Sequence, residues 1–186
     1  NNGNLTLENS IIENTAKEYY VQSLNKMIMT SENGLIYNTK TLIIKNTTFN
    51  NIDLHPLTIN GKKLDWTGII LNRDQTIITD CKFTNINYMT IYNNAILEIN
   101  NTLMENITST SIISHAVQYT NQINNTVKYF SYTKTASSIE GGTVYNNNQA
   151  TITKVTFKKI TGTNGGIYNN KNLNIINSPF QSINNG

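Results

Sequence analysis

A right-handed, single-stranded parallel β-helix is the fold class this sequence predicts, and three observations predict it. A fifteen-residue pattern recurs six times with no gap inside it, anchored at Asn1, Asn38, Asn72, Asn93, Asn146 and Asn169. Within the pattern, apolar residues alternate with polar ones in short runs bounded by Asn and Gly, which is the period of a strand. Charged residues make up only 13% of the chain, so its solubility rests on neutral amides and hydroxyls.

Each position of the unit can be assigned in turn. Position five reads Leu5, Leu42, Thr76, Leu97, Ala150 and Leu173, and position seven reads Leu7, Ile44, Ile78, Ile99, Ile152 and Ile175. These two columns make a first strand. Position ten is small or medium throughout: Ser10, Thr47, Cys81, Thr102, Val155 and Ser178. Position twelve reads Ile12, Phe49, Phe83, Met104, Phe157 and Phe180, and position fifteen reads Thr15, Ile52, Ile86, Ile107, Ile160 and Ile183, which makes a second strand. A third strand precedes the anchor in five units, carrying Ile36, Ile70, Ile91, Val144 and Ile167, followed by Tyr37, Leu71, Tyr92, Tyr145 and Tyr168. One such unit cannot bury its apolar face alone, but stacked copies can, each strand pairing in parallel with its counterpart one rung along.

Three polar columns punctuate the unit. The anchor is Asn in all six copies. The second column is Asn9, Asn46, Asp80, Asn101, Lys154 and Asn177, and the third is Asn14, Asn51, Asn85, Asn106, Lys159 and Ser182. Asn tolerates the left-handed backbone that sharp corners require, and stacked amides can bond along a column. The asparagines are therefore expected to be structural ladders rather than a sugar-binding row.

The anchors are spaced 37, 34, 21, 53 and 23 residues apart. The short intervals define a bare rung. The interval of 53 leaves room for a degenerate seventh rung near Asn121. Six or seven rungs would stack to roughly 29–34 Å at about 4.8 Å each. The chain reads as a single domain over 1–186, a stretch of a longer repeat protein.

The strings GGTVYNN at 141–147, GGIYNN at 165–170, TTFNNI at 47–52 and CKFTNI at 81–86 carry a resemblance. They resemble the GGA(I/L/V) and FxxN repeats of bacterial polymorphic outer-membrane proteins and of adhesin-like surface proteins of methanogenic archaea. Here no Ala follows the glycine pair, and Asn follows Phe by two positions rather than three. The resemblance covers almost the whole chain. It implies an extracellular, surface-anchored protein, and it implies no particular ligand.

All insertions fall at one corner, between the second strand and the next third strand: Ala16–Asn33, Asp53–Thr67 and Thr108–Gly141. They hold Tyr19, Tyr20, His55, Trp66, His115, Tyr119, Tyr129 and Tyr132. Loops gathered by a rigid scaffold are where binding residues concentrate, and aromatic rings with polar tips suit sugars and protein epitopes. These eight are the candidate ligand-binding residues; the plainer reading is that they fasten the loops to the barrel.

Other functions have less support. A nucleic-acid partner needs clustered Lys and Arg, but the net charge is only +3 and Arg73 is the sole arginine. No apolar run is long enough to span a bilayer as a helix. His55, His115 and Cys81 lack metal-ligand spacing, and no cofactor motif is present. Glycoside hydrolysis wants two neighbouring carboxylates, yet Glu13 and Glu105 share a column three rungs apart; Asp53 and Asp65 share one insert, without a basic partner at a known spacing. Three functions follow, in order: a stalk with an adhesive edge for glycans or the surface proteins of host or neighbouring cells, a polysaccharide lyase or hydrolase, and a surface-fibre module that self-associates end to end. Sequons at Asn4, Asn46, Asn100, Asn106 and Asn124 would accept glycans on a secreted chain.

Overall fold

Two columns of the repeat adopt a backbone that L-residues rarely visit. At the second and third polar columns all twelve residues have φ between 44° and 57°, including Lys154, Lys159 and Ser182. A left-handed residue costs about 1–2 kcal/mol for most side chains and least for Asn, Asp and Gly, so the corners select Asn. The second column lies between the first and second strands of each unit and turns the chain there, whereas the third bends the chain within the second strand. The repeated turn brings every strand back beside its counterpart in the preceding unit.

The computed structural model describes residues 1, 3–16, 35–53, 57–59, 62–64, 68–108, 112–121, 126–135, 143–162 and 165–185. Among them there is no helix, and seventeen strands lie in all-parallel arrangements that form the three walls of a parallel β-helix. The first wall stacks Leu5–Glu8, Leu42–Lys45, Gln75–Thr79, Ile96–Asn100, Gln149–Thr153 and Asn172–Ile176. The second stacks Ile11–Ala16, Thr48–Asp53, Lys82–Asn87, Leu103–Thr108, Thr156–Gly162 and Phe180–Asn185. The third carries Ile36–Asn38, Ile70–Asn72, Ile91–Asn93, Val144–Asn146 and Ile167–Asn169. Its second and third strands are joined by the Ile70 N–H to Thr90 carbonyl bond (3.0 Å) and the Asn94 N–H to Asn72 carbonyl bond (2.8 Å).

The register is that of the repeat. Leu5, Leu42, Thr76, Leu97, Ala150 and Leu173 follow one another along the first wall. Ile12, Phe49, Phe83, Met104, Phe157 and Phe180 do so along the second. These inward columns form the core: Leu42, Ile44, Phe49, Phe83, Ile91, Ile99, Met104 and Phe157 are wholly buried. Burying a side chain of this kind contributes about 1.5–3 kcal/mol, and here each one is repeated up the stack. Phe49 stacks on Phe83, and Phe157 on Phe180, with centroids 4.6 Å apart in both pairs. The column at position ten is also explained: Ser10, Thr47, Thr102 and Ser178 each donate from the hydroxyl to the carbonyl two residues back, at 2.8–2.9 Å. Cys81 takes the same place, its sulfur 3.2 Å from the Thr79 carbonyl. Gly68, at φ 90°, opens the third strand of its rung where a Cβ would lie 2.9 Å from the Met89 carbonyl oxygen, so no larger residue fits.

The interval of 53 residues does not hold an extra rung. Ile91 pairs directly with Val144, and the Asn147 N–H reaches the Asn93 carbonyl at 2.8 Å. The intervening chain leaves the stack as an antiparallel hairpin, Ile112–Asn121 against Thr126–Thr135. Its ten-residue strands are longer than any described wall strand, the longest of which is the seven-residue Thr156–Gly162, and they pair with each other instead. Among the described residues the solenoid therefore has six rungs.

Candidate binding edge

The site begins with the anchor column, because that column decides which polar groups are free for other work. Asn38, Asn72, Asn93 and Asn146 are wholly buried. Each amide nitrogen donates to the anchor oxygen one rung further on, at 3.0, 2.8, 2.7 and 2.7 Å. It also donates to the backbone carbonyl three residues past that next anchor, at 2.9–3.0 Å. Each amide oxygen accepts in turn from the N–H two residues ahead in its own turn. Asn1 joins the chain by donating to Asn38 at 3.0 Å, and Asn169 closes it by donating to the Lys171 carbonyl at 2.7 Å. Thr76, the one polar member of its column, donates to Asn72 Oδ1 at 2.8 Å, which is why a hydroxyl is tolerated there.

The corner columns bond on the outside of the stack and in the opposite sense. Asn46 donates to Asn9, Asn51 to Asn14, Asn101 to Asp80 and Asn106 to Asn85, at 2.5–2.8 Å. Asn85 donates to the neighbouring Asn50 at 2.8 Å. At Asn46 and Asn106 a glycan would displace an amide that already bonds along the column; Asn4 is exposed.

An outward stripe that the sequence reading left out of the candidate site runs beside the third wall. Tyr92, Tyr145 and Tyr168 stack at 4.7 and 4.8 Å. Asn147 donates to the Tyr92 hydroxyl (3.0 Å) and to Asn94 (3.0 Å); Asn170 donates to the Tyr145 hydroxyl (3.2 Å) and to Asn147 (2.6 Å). The signal was the Tyr that recurs after the inward Ile of each third strand. Both faces of Tyr145 are spent on neighbouring rings, so the stripe stiffens the wall and offers no open ring face at Tyr145 for a sugar.

Glu105, on the second wall, is engaged too. Glu105 lies 3.0 Å from Lys158 Nζ and 3.7 Å from Lys159 Nζ. The hydrogen bond from the Lys158 ammonium holds the Glu105 carboxyl below the usual carboxylate range. The Cys81 thiol is buried, and burial pushes it above its ordinary value. No cluster of three or more His, Cys, Asp or Glu suited to a metal occurs among the described residues, nor is any described helix long and apolar enough to cross a membrane.

That leaves the inserts. Tyr19, Tyr20, His55 and Trp66 lie outside the described residues, as does Asp65. His115 and Tyr119 fall on Ile112–Asn121, and Tyr129 and Tyr132 on Thr126–Thr135. The register sets His115 opposite Tyr132, Gln118 opposite Tyr129, and Tyr119 opposite Lys128. The second and third inserts meet through the backbone: Thr133 pairs with Thr58 and Lys134 with Leu57, and Leu57–Ile59 pairs in turn with Lys62–Leu64. The result is a four-stranded antiparallel sheet at the corner where both inserts leave the stack. Comparison with protein-family models, curated proteins and solved structures returns no match for this chain.

Proposed function

We propose that the chain is a stiff stalk segment of a secreted cell-surface protein, with the lateral sheet as its adhesive edge for glycans or the surface proteins of other cells. The observation that carries this reading is a division of labour. The buried amides of the wall bond one rung to the next, while two inserts at one corner combine into a separate sheet of different topology. A stack of this kind transmits force along its axis, and a sheet built from inserts can vary without disturbing the rungs. The likeness of the GG and Phe–Asn strings to the repeats of outer-membrane and methanogen surface proteins supports the surface location.

A glycan and surface-protein array tests the adhesive half directly. The parent chain should bind, and binding should vanish when 109–142 is replaced by a Tyr-Met dipeptide. That dipeptide copies Tyr88–Met89, the connector of the bare rung, because Asn87 is in register with Thr108 and the Thr90 N–H bonds to the Thr143 carbonyl. A parent that binds nothing, or an excised chain that binds equally, removes the adhesive edge.

A further inference from the structure

The two outer strands of the lateral sheet differ in kind. The strand order is Ile112–Asn121, Thr126–Thr135, Leu57–Ile59, Lys62–Leu64. One edge is three residues long and carries Lys62 and Lys63, a short charged edge of the sort that discourages further pairing. The other is ten residues, IISHAVQYTN, with no Lys, Arg, Asp, Glu, Pro or Gly. Among the described residues it has a paired neighbour on one side only. In an antiparallel edge strand alternate residues turn their N–H and C=O outward, so about five residues here present an unshared donor and acceptor. Such an edge is a template for strand addition.

We propose that Ile112–Asn121 pairs with the same strand of a second copy, joining two stalks side by side through one continuous eight-stranded sheet. Two features select this occupant. A two-fold axis normal to the sheet, midway between the two edge strands, makes the new pair antiparallel, the sense the sheet already uses. An uncharged strand meets itself across that axis without opposing like charges in any register, whereas the lysine edge would set ammonium against ammonium. The contact is closed: among the described residues the lateral sheet has one such edge per copy, so association through this sheet stops at the dimer. It does not depend on whether the stalk binds a glycan.

Sedimentation equilibrium of the 186-residue chain tests it. The parent should form a monomer–dimer equilibrium with no higher species. The double substitution Ala116→Lys and Gln118→Lys, which places like charges across the new pair, should weaken dimerisation by at least about tenfold. The chain with 109–142 replaced by Tyr-Met should be monomeric while keeping the far-UV β signal, which holds the test open even if the lysine variant disturbs the hairpin. A parent that stays monomeric at every concentration overturns the proposal. So does an open-ended series of oligomers, or a dimer that survives the excision.

Discussion

Replacing Asn93 by Ala tests the internal ladder where it is most buried. The Asn93 side chain takes part in five hydrogen bonds: it accepts from Asn72 Nδ2 (2.8 Å) and the Ala95 N–H (3.2 Å), and donates to Asn146 Oδ1 (2.7 Å) and to the carbonyls of Ala95 (2.9 Å) and Gln149 (3.0 Å). A protein hydrogen bond contributes about 1 kcal/mol net, and a buried group left unpaired costs more. Two neighbours keep a partner, since Asn72 still reaches the Ile96 carbonyl and Asn146 Oδ1 still accepts from the Asn148 N–H. The expected loss is therefore about 3–5 kcal/mol, a large share of the roughly 5–15 kcal/mol that holds an ordinary domain together. Asn101→Ala is the control. It removes one exposed bond and puts Ala at φ 46°, for about 1–2 kcal/mol. Urea unfolding followed by far-UV circular dichroism reads both, with amide exchange to show whether the rungs of Asn72 and Asn146 open together. A loss at Asn93→Ala no larger than that at Asn101→Ala would refute the argument that the anchor column, rather than the corner columns, ties the rungs.

Further expectations follow from single residues. Lys154 occupies a left-handed corner between Asn101 and Asn177, so Lys154→Asn should stabilise the chain by about 1 kcal/mol in the same urea assay. Among the described residues the hydroxyls of Thr90 and Thr143 are buried without a partner, so Thr90→Val and Thr143→Val should each stabilise the chain by about 1–3 kcal/mol, read as a higher urea midpoint. Burial raises the Cys81 thiol, so alkylation at mildly alkaline pH should be slow until the chain is unfolded. The same shift makes stability hold below the ordinary thiol range and fall as pH rises through it, a trend that Cys81→Ser should flatten.

The repeat was legible because each rung uses the same residue types for the same reasons. Inward Leu, Ile and Phe columns, corner Asn and register all follow from aligning six copies, and the structure pairs the same residues. What the alignment merged was the asparagines. Asn38 and Asn46 look alike in sequence, yet one is a buried ladder member and the other an exposed left-handed corner with φ 44°. The difference lies in whether the residue ends an inward strand or turns the chain, and that is a tertiary fact. The expected extra rung near Asn121 also came from length alone. Alternating strands of ten residues carry the same periodicity whether they join a wall or pair with each other, and only the contact between Asn93 and Asn146 decides between the two. The Tyr92, Tyr145 and Tyr168 stack was visible as a recurring letter but not as a ladder, since its meaning depends on a rung spacing that fits two rings face to face.

The most direct test of the six-rung β-helix is a hydrogen bond that only this stacking can make. Scalar coupling across hydrogen bonds, measured by solution NMR on labelled chain, should connect the Asn147 amide nitrogen to the Asn93 carbonyl carbon, residues separated by the whole hairpin and 2.8 Å apart from N to O. The corresponding coupling from Asn94 to Asn72, also a 2.8 Å bond, serves as the reference. Observation of both is the predicted result. Coupling of the Asn147 amide to a carbonyl within 109–142, or its absence while the reference is seen, would mean that something lies between the fourth and fifth rungs and would contradict the six-rung stack.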